Sequence, residues 1–174
     1  MSTPPKRATQ AITMRQELTG LLLKVAVVTA FLGLFFSFLY GVHRVSGADM
    51  GATVKDGDLT AFYRLDKAYS VGDVIALRVN GQFQVRRIVA VTGDVVDITP
   101  RGLVINGALQ DELDAQQPTR RYADGVQFPL TVGPGQVFVL GDARENATDS
   151  RVYGPVPIRD TLGKVIGIVR MRDL

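Results

Sequence analysis

The chain contains no cysteine. That excludes disulfides, a thiolate nucleophile and every zinc site built on sulfur. Histidine occurs once, at His43, so a metal site with two histidines cannot form. A Ser-His-Asp triad would have to recruit that single imidazole, which sits where a long apolar run ends. No block of lysines and arginines is long enough for a nucleic-acid patch, and the net charge is only +3. Nothing in the sequence points to a cofactor. Beyond residue 42 there is no amphipathic stretch of helical length, and no internal repeat.

What remains is one long apolar segment followed by a chain of different texture. Residues 21–42 are apolar apart from Lys24, Thr29 and Ser37. At about 1.5 Å per residue they reach across ~30 Å of hydrocarbon. Lys24 can snorkel to the interface, and Tyr40 falls at the far end, where an aromatic is favoured. The run exceeds the ~7–15 residues of a cleaved leader's apolar core, which favours a retained anchor. Lys6, Arg7 and Arg15 precede the run, and only His43 and Arg44 follow it closely. The positive-inside rule then predicts three parts: a cytoplasmic segment (1–20), a single-pass anchor in the plasma membrane (21–42) and an extracytoplasmic domain (43–174). The first dozen residues offer little to bury and are expected to be disordered.

From Asp49 onward, short runs rich in valine and isoleucine alternate with Gly, Asp and Asn. Residues 59–63, 74–79, 84–91, 95–99, 103–105, 137–140 and 165–171 read as strands. Asn80-Gly81 is a two-residue hairpin signal, and Asn106-Gly107 marks a second turn. Residues 159–162 suit one helical turn, and the polar stretch 110–127 suits a surface excursion. The expected fold is a mainly β ectodomain of twisted antiparallel sheets or a distorted barrel, behind one N-terminal transmembrane helix.

Three stretches carry the functional information. The first runs Asp49-Met50-Gly51-Ala52-Thr53-Val54-Lys55-Asp56-Gly57-Asp58. The second runs Val85-Arg86-Arg87-Ile88-Val89-Ala90-Val91-Thr92-Gly93-Asp94. The third runs from Leu140-Gly141-Asp142-Ala143-Arg144-Glu145-Asn146 through Ala147-Thr148-Asp149-Ser150-Arg151 to Val152-Tyr153-Gly154. In order and spacing they resemble the bacterial type I signal peptidases (serine peptidase family S26), whose motifs read S-M-x-P-T-L-x-x-G-D, K-R-V-x-G-x-P-G-D and G-D-N-R-D-N-S-x-D-S-R-x-W/Y-G. The resemblance spans roughly residues 15–174. It implies a membrane-held β domain that receives an extended exported segment along a strand edge. Met50, Thr53, Arg87, Gly141, Asp142, Arg144, Asn146, Asp149, Ser150 and Arg151 match the motifs.

The two positions that carry the family's chemistry do not match. The serine nucleophile falls on Asp49 and the lysine base on Arg86. Asp49 has no hydroxyl, and a guanidinium keeps its proton at any pH compatible with folding. The replacements are complementary, which predicts an Asp49–Arg86 ion pair, bidentate if geometry allows. A simpler alternative leaves Arg86 and Arg87 as an exposed strand pair. A subset of the family, associated with pili, resembles this chain in carrying aspartate for serine. Together these features imply a pseudoenzyme that binds or helps assemble exported proteins such as pilins; the alternative is an active signal peptidase. The expected partners are the lipid bilayer and an exported segment, with no nucleic acid.

The Gly-Asp pairs at 57–58, 72–73, 93–94 and 141–142 read as turns whose aspartates bond nearby backbone, rather than as metal ligands. Asp149 and Arg151 suit a structural ion pair, Met50 an apolar cleft-floor or membrane-facing position, and His43 the membrane interface.

Overall fold

A computed structural model describes residues 6–115 and 117–171, with side chains from residue 15 onward. The chain divides into two units, residues 1–39 and residues 40–174.

The first unit is helix α1, Lys6–Leu39. Its Arg15–Leu39 portion, 25 residues, is long and apolar enough to cross a membrane, and its side chains are exposed. The helix starts earlier than the composition suggests, since residues 6–12 are already helical; the first five residues lie outside those described. It also stops earlier than the apolar run. Tyr40, Gly41 and Val42 belong to strand β1 (Tyr40–Arg44), not to the span. Strand pairing decides this. Tyr40 faces Tyr63 and Gly41 faces Phe62 across the ladder. A Cβ on Gly41 would sit 2.2 Å from the Phe62 ring, so only glycine lets that ring lie across the strand.

The second unit is built from strands. After β1 come β2 (Leu59–Tyr63), β3 (Val74–Val79), β4 (Gln82–Val91), β5 (Val95–Thr99), β6 (Gly102–Ile105), β7 (Ala108–Leu109), β8 (Leu130–Thr131), β9 (Gln136–Leu140), β10 (Val156–Pro157) and β11 (Thr161–Val169). Between β9 and β10 lies a single helical turn, α2 (Ser150–Tyr153), and a 3-10 turn, Ile158–Asp160, precedes β11. Asn80-Gly81 and Asn106-Gly107 both take positive φ at each residue, as a primed two-residue turn requires. They close β3 on β4 and β6 on β7.

One sheet has seven strands in the order β1-β2-β11-β3-β4-β9-β10; the other has four, β7-β6-β5-β8. Each named pairing is antiparallel, and neither sheet closes into a barrel. Phe138, Leu140 and Ala90 of the large sheet pack with Val96, Ile98 and Leu103 of the small one and with Val132 just after β8. A second cluster brings Met50, Val54 and Val45 onto Val85 of β4. That cluster seats the segment around Asp49 on the sheet.

Candidate functional site

The segment leading to Thr53 is a run of tight turns: Gly51 N–H donates to Ala48 O and Thr53 N–H to Met50 O, each at 3.0 Å. Buried Met50 bridges to Val54, which roots the segment in the core. On its other side, Ala143 N–H donates to Asp49 O at 3.0 Å. Gly141 makes this approach possible, since a Cβ there would stand 2.6 Å from Asp49 O and 2.4 Å from the Ala147 Cβ.

Arg86 comes to Asp49 from β4. Arg86 Nη2 donates to Asp49 Oδ2 at 2.5 Å. The contact is end-on rather than bidentate, because the other donors are committed to backbone. Nε and Nη2 donate to Thr148 O at 3.3 and 2.8 Å, and Nη1 donates to Val85 O at 2.7 Å. The guanidinium therefore joins three elements: the Asp49 segment, β4 and the loop before α2. Its side chain is only 3% exposed, against 35% for Asp49. A buried cation with a carboxylate and two carbonyls around it is compensated. Tyr153 lies beside it, its hydroxyl donating to Gln84 Oε1 at 3.2 Å, and burial pushes that phenol's pKa well up.

Asp142 organises the floor. Arg87 grips it with Nε at 3.0 Å and Nη2 at 2.8 Å, and Thr53 Oγ1 donates to Asp142 Oδ2 at 2.6 Å. The Asp142 hydrogen bond holds the Arg87 guanidinium above its ordinary pKa. The other three Gly-Asp pairs behave as local turns. Asp58, Asp73 and Asp94 accept from Lys55, Ser70 and Val91 N–H, each three residues back. Among the described residues no cluster suited to a metal ion occurs.

Asp149 and Arg151 pair where both are buried, with Arg151 Nε and Nη2 each 2.8 Å from one carboxylate oxygen. Asp149 also receives Gly141 N–H at 3.0 Å and caps α2 through Arg151 N–H. Ser150 Oγ receives Val139 N–H at 3.0 Å. Asn146 is exposed. Arg144 is buried and pairs with Glu112 and Thr119 through Nη1, while its Nε has no partner among the described residues; burial lowers its pKa. Glu112, Thr119 and Tyr122, whose ring lies 4.5 Å from the Arg151 guanidinium carbon, pin the polar excursion to the third motif. The motif spacing assigned no role to Thr148 O, Val85 O or Tyr153. Two of these are backbone carbonyls, which leave no mark in a sequence.

One further feature bears on binding. β3 pairs with β4 along residues 82–87, whereas β9 pairs with it only over 87–91. Residues 82–86 of β4 thus have a strand on one side only. Val79 and Gln82 flank the two-residue turn and bond each other, so alternate residues Phe83 and Val85 aim their N–H and C=O groups away from β3; Phe83 is partly exposed there, whereas Val85 is buried. Arg86 Nη1 already occupies one of these groups, Val85 O.

A signal peptidase, peptidase S26 family model matches residues 18–170. The chain is 28% identical over 171 residues to signal peptidase IB of Staphylococcus aureus, covering 87% of this chain and 89% of that protein. It is 33% identical over 102 residues to a probable thylakoidal processing peptidase 2 of Arabidopsis thaliana, covering 59% of this chain but only 24% of that protein. A crystal structure of a signal peptidase I from Enterococcus faecalis aligns with 28% identity and a TM-score of 0.46 over 56% of this chain and 97% of that one. A mostly antiparallel β unit carries the motif residues around Asp49 and Arg86, and it follows one apolar helix in the sequence. The chain belongs to the signal peptidase S26 family. With its N-terminal apolar helix, it is a single-pass membrane protein.

Proposed function

We propose that this protein holds an extended segment of an exported protein, such as a pilin subunit, at the outer face of the membrane without cutting it. The observation that carries the reading is the 2.5 Å Asp49–Arg86 ion pair at the two positions where the family's motifs place serine and lysine. Peptide cleavage there needs a hydroxyl that can lose its proton and a base that can take it. Arg86 keeps its proton, and its donors are held by Asp49, Val85 O and Thr148 O. Attack by the Asp49 carboxylate would make an anhydride, with no neighbour to activate it. The unpaired side of β4 supports binding, since an incoming strand can begin to pair at the partly exposed Phe83, whose N–H and C=O point away from β3. In this reading the N-terminus is cytoplasmic and the β unit extracytoplasmic.

The names of the relatives favour the second reading, an active signal peptidase. One experiment separates the two. The purified full chain in detergent or lipid vesicles is incubated with a preprotein, beside a catalytically competent signal peptidase. No cleavage together with crosslinking of a secreted segment to residues beside Asp49 is the expected result. Cleavage at the rate of the competent enzyme overturns the proposal. The double variant Asp49→Ser, Arg86→Lys shows whether the dyad alone is missing.

A further inference from the structure

We infer that the segment held at this site presents a cationic side chain, lysine or arginine, to Asp49. The inference rests on the binding reading above and specifies the ligand's chemistry.

The ion pair is one-sided. Arg86 is turned inward, 3% exposed, with donors on two carbonyls as well as on Asp49. Asp49 is turned outward, 35% exposed, and only its Oδ2 is bonded. Among the described residues no donor reaches Oδ1. The pair is neutral in sum but exposes its negative end. A group brought to the surface meets the free carboxylate oxygen first, and meets Arg86 only behind it. A cation at hydrogen-bond distance from Oδ1 gains from the nearer charge more than it loses to the farther one. A carboxylate there meets the reverse. An apolar side chain leaves the oxygen to water at no gain.

The bound strand's position makes the meeting feasible. The open side of β4 ends at Arg86, the residue that holds Asp49. A segment that pairs at the partly exposed Phe83 and runs on toward Arg86 therefore passes the carboxylate, and side chains alternate along it so that one in two faces the same wall. A long cationic side chain reaches Oδ1 while its apolar stem covers the site's rim. The carboxylate then bridges two cations, Arg86 inside and the ligand's outside, and only the outer one must leave water at binding. Because Asp49 keeps much of its hydration, the gain is that of a partly exposed ion pair, about fivefold in affinity.

The test uses the full chain in detergent micelles and three fluorescent peptides that differ at one central position: lysine, norleucine or glutamate, flanked by alanines. The expected order is lysine, then norleucine, then glutamate, with lysine about fivefold tighter than norleucine. The ratio should shrink toward unity in high salt, because the pair is partly exposed. The Asp49→Asn variant should narrow it as well. If that variant does not fold, the salt series on the natural chain carries the same test. Equal binding of lysine and norleucine peptides at low salt overturns the inference while leaving the binding reading intact. No binding of any peptide at the site overturns the binding reading itself.

Discussion

Arg87 holds the carboxylate of Asp142 by two parallel hydrogen bonds, Nε at 3.0 Å and Nη2 at 2.8 Å, across 55 residues of chain. Asp142 is buried to 1% and takes a third bond from Thr53. The carboxylate thereby fastens β4, the end of β9 and the segment that carries Asp49. Without this carboxylate Arg87 keeps, among the described residues, only Gly72 O and the exposed Asp114, 3.6 Å away. Asp142→Asn should therefore cost about 1.5–3 kcal/mol, the worth of hydrogen bonds to a charged group, in thermal or denaturant unfolding of the full chain in micelles. Thr53→Val should cost about 1 kcal/mol, the worth of one hydrogen bond. The two losses should fall short of additivity in the double variant, since Thr53 and Arg87 share one acceptor. Strict additivity would mean that Thr53 and Asp142 do not act together.

Alkaline pH should destabilise the β unit earlier than exposed tyrosines would allow. Burial raises the pKa of Tyr153, and also that of Tyr69, whose hydroxyl meets Thr161. The folded state then keeps phenolic protons that the unfolded chain releases above about pH 10. Where the folded state binds more protons, unfolding free energy falls as pH rises. The contribution is whole below about pH 10 and is lost progressively above it. Tyr153→Phe should flatten that decline. Its ultraviolet difference titration should lack the latest phenolate step, and an unchanged titration would contradict a buried Tyr153.

Much of this architecture is legible in the sequence where residue type and spacing both speak. β2, β3 and β5 begin and end where the short apolar runs do, and both Asn-Gly turns close hairpins. β1 is hidden because it continues an apolar run without punctuation; only the ladder to β2 reveals that the helix has ended at Leu39. β7, β8 and β10 have two residues each, too few to show a period. β11 begins at Thr161, and its ladder to β3 shifts register between Thr161 and Gly163, where φ is 150°, an irregularity that residue spacing does not show. At the site, spacing reveals Asp49 and Arg86. It does not reveal that the guanidinium divides itself among Asp49, Val85 O and Thr148 O, which depends on where backbone carbonyls fall.

Gly141 should tolerate no side chain. Its would-be Cβ neighbours include a backbone oxygen, Asp49 O at 2.6 Å, which cannot step aside as a flexible side chain can. Gly141→Ala must push the Asp49 segment away from β9 and stretch the Ala143 N–H bond to Asp49 O. Overpacking of this kind costs about 1–3 kcal/mol. Peptide binding should weaken along with stability, because the displaced segment is the one that presents Asp49. A variant of natural stability and natural peptide affinity would show that Gly141 is not the point of close approach.

The absence of cysteine makes the membrane topology directly measurable, since any introduced thiol is unique. Two single variants suffice, Gln10→Cys on the N-terminal side of the Arg15–Leu39 span and Glu145→Cys on the exposed surface of the β unit. Lys6, Arg7, Arg15 and Lys24 lie before or within the first half of the span, and the positive-inside rule predicts that side to be cytoplasmic. A membrane-impermeant maleimide applied to intact cells should therefore label the E145C protein. The Q10C protein should react only after the membrane is opened. The opposite pattern would place the β unit in the cytoplasm, away from any exported segment, and the binding proposal would fall with the topology.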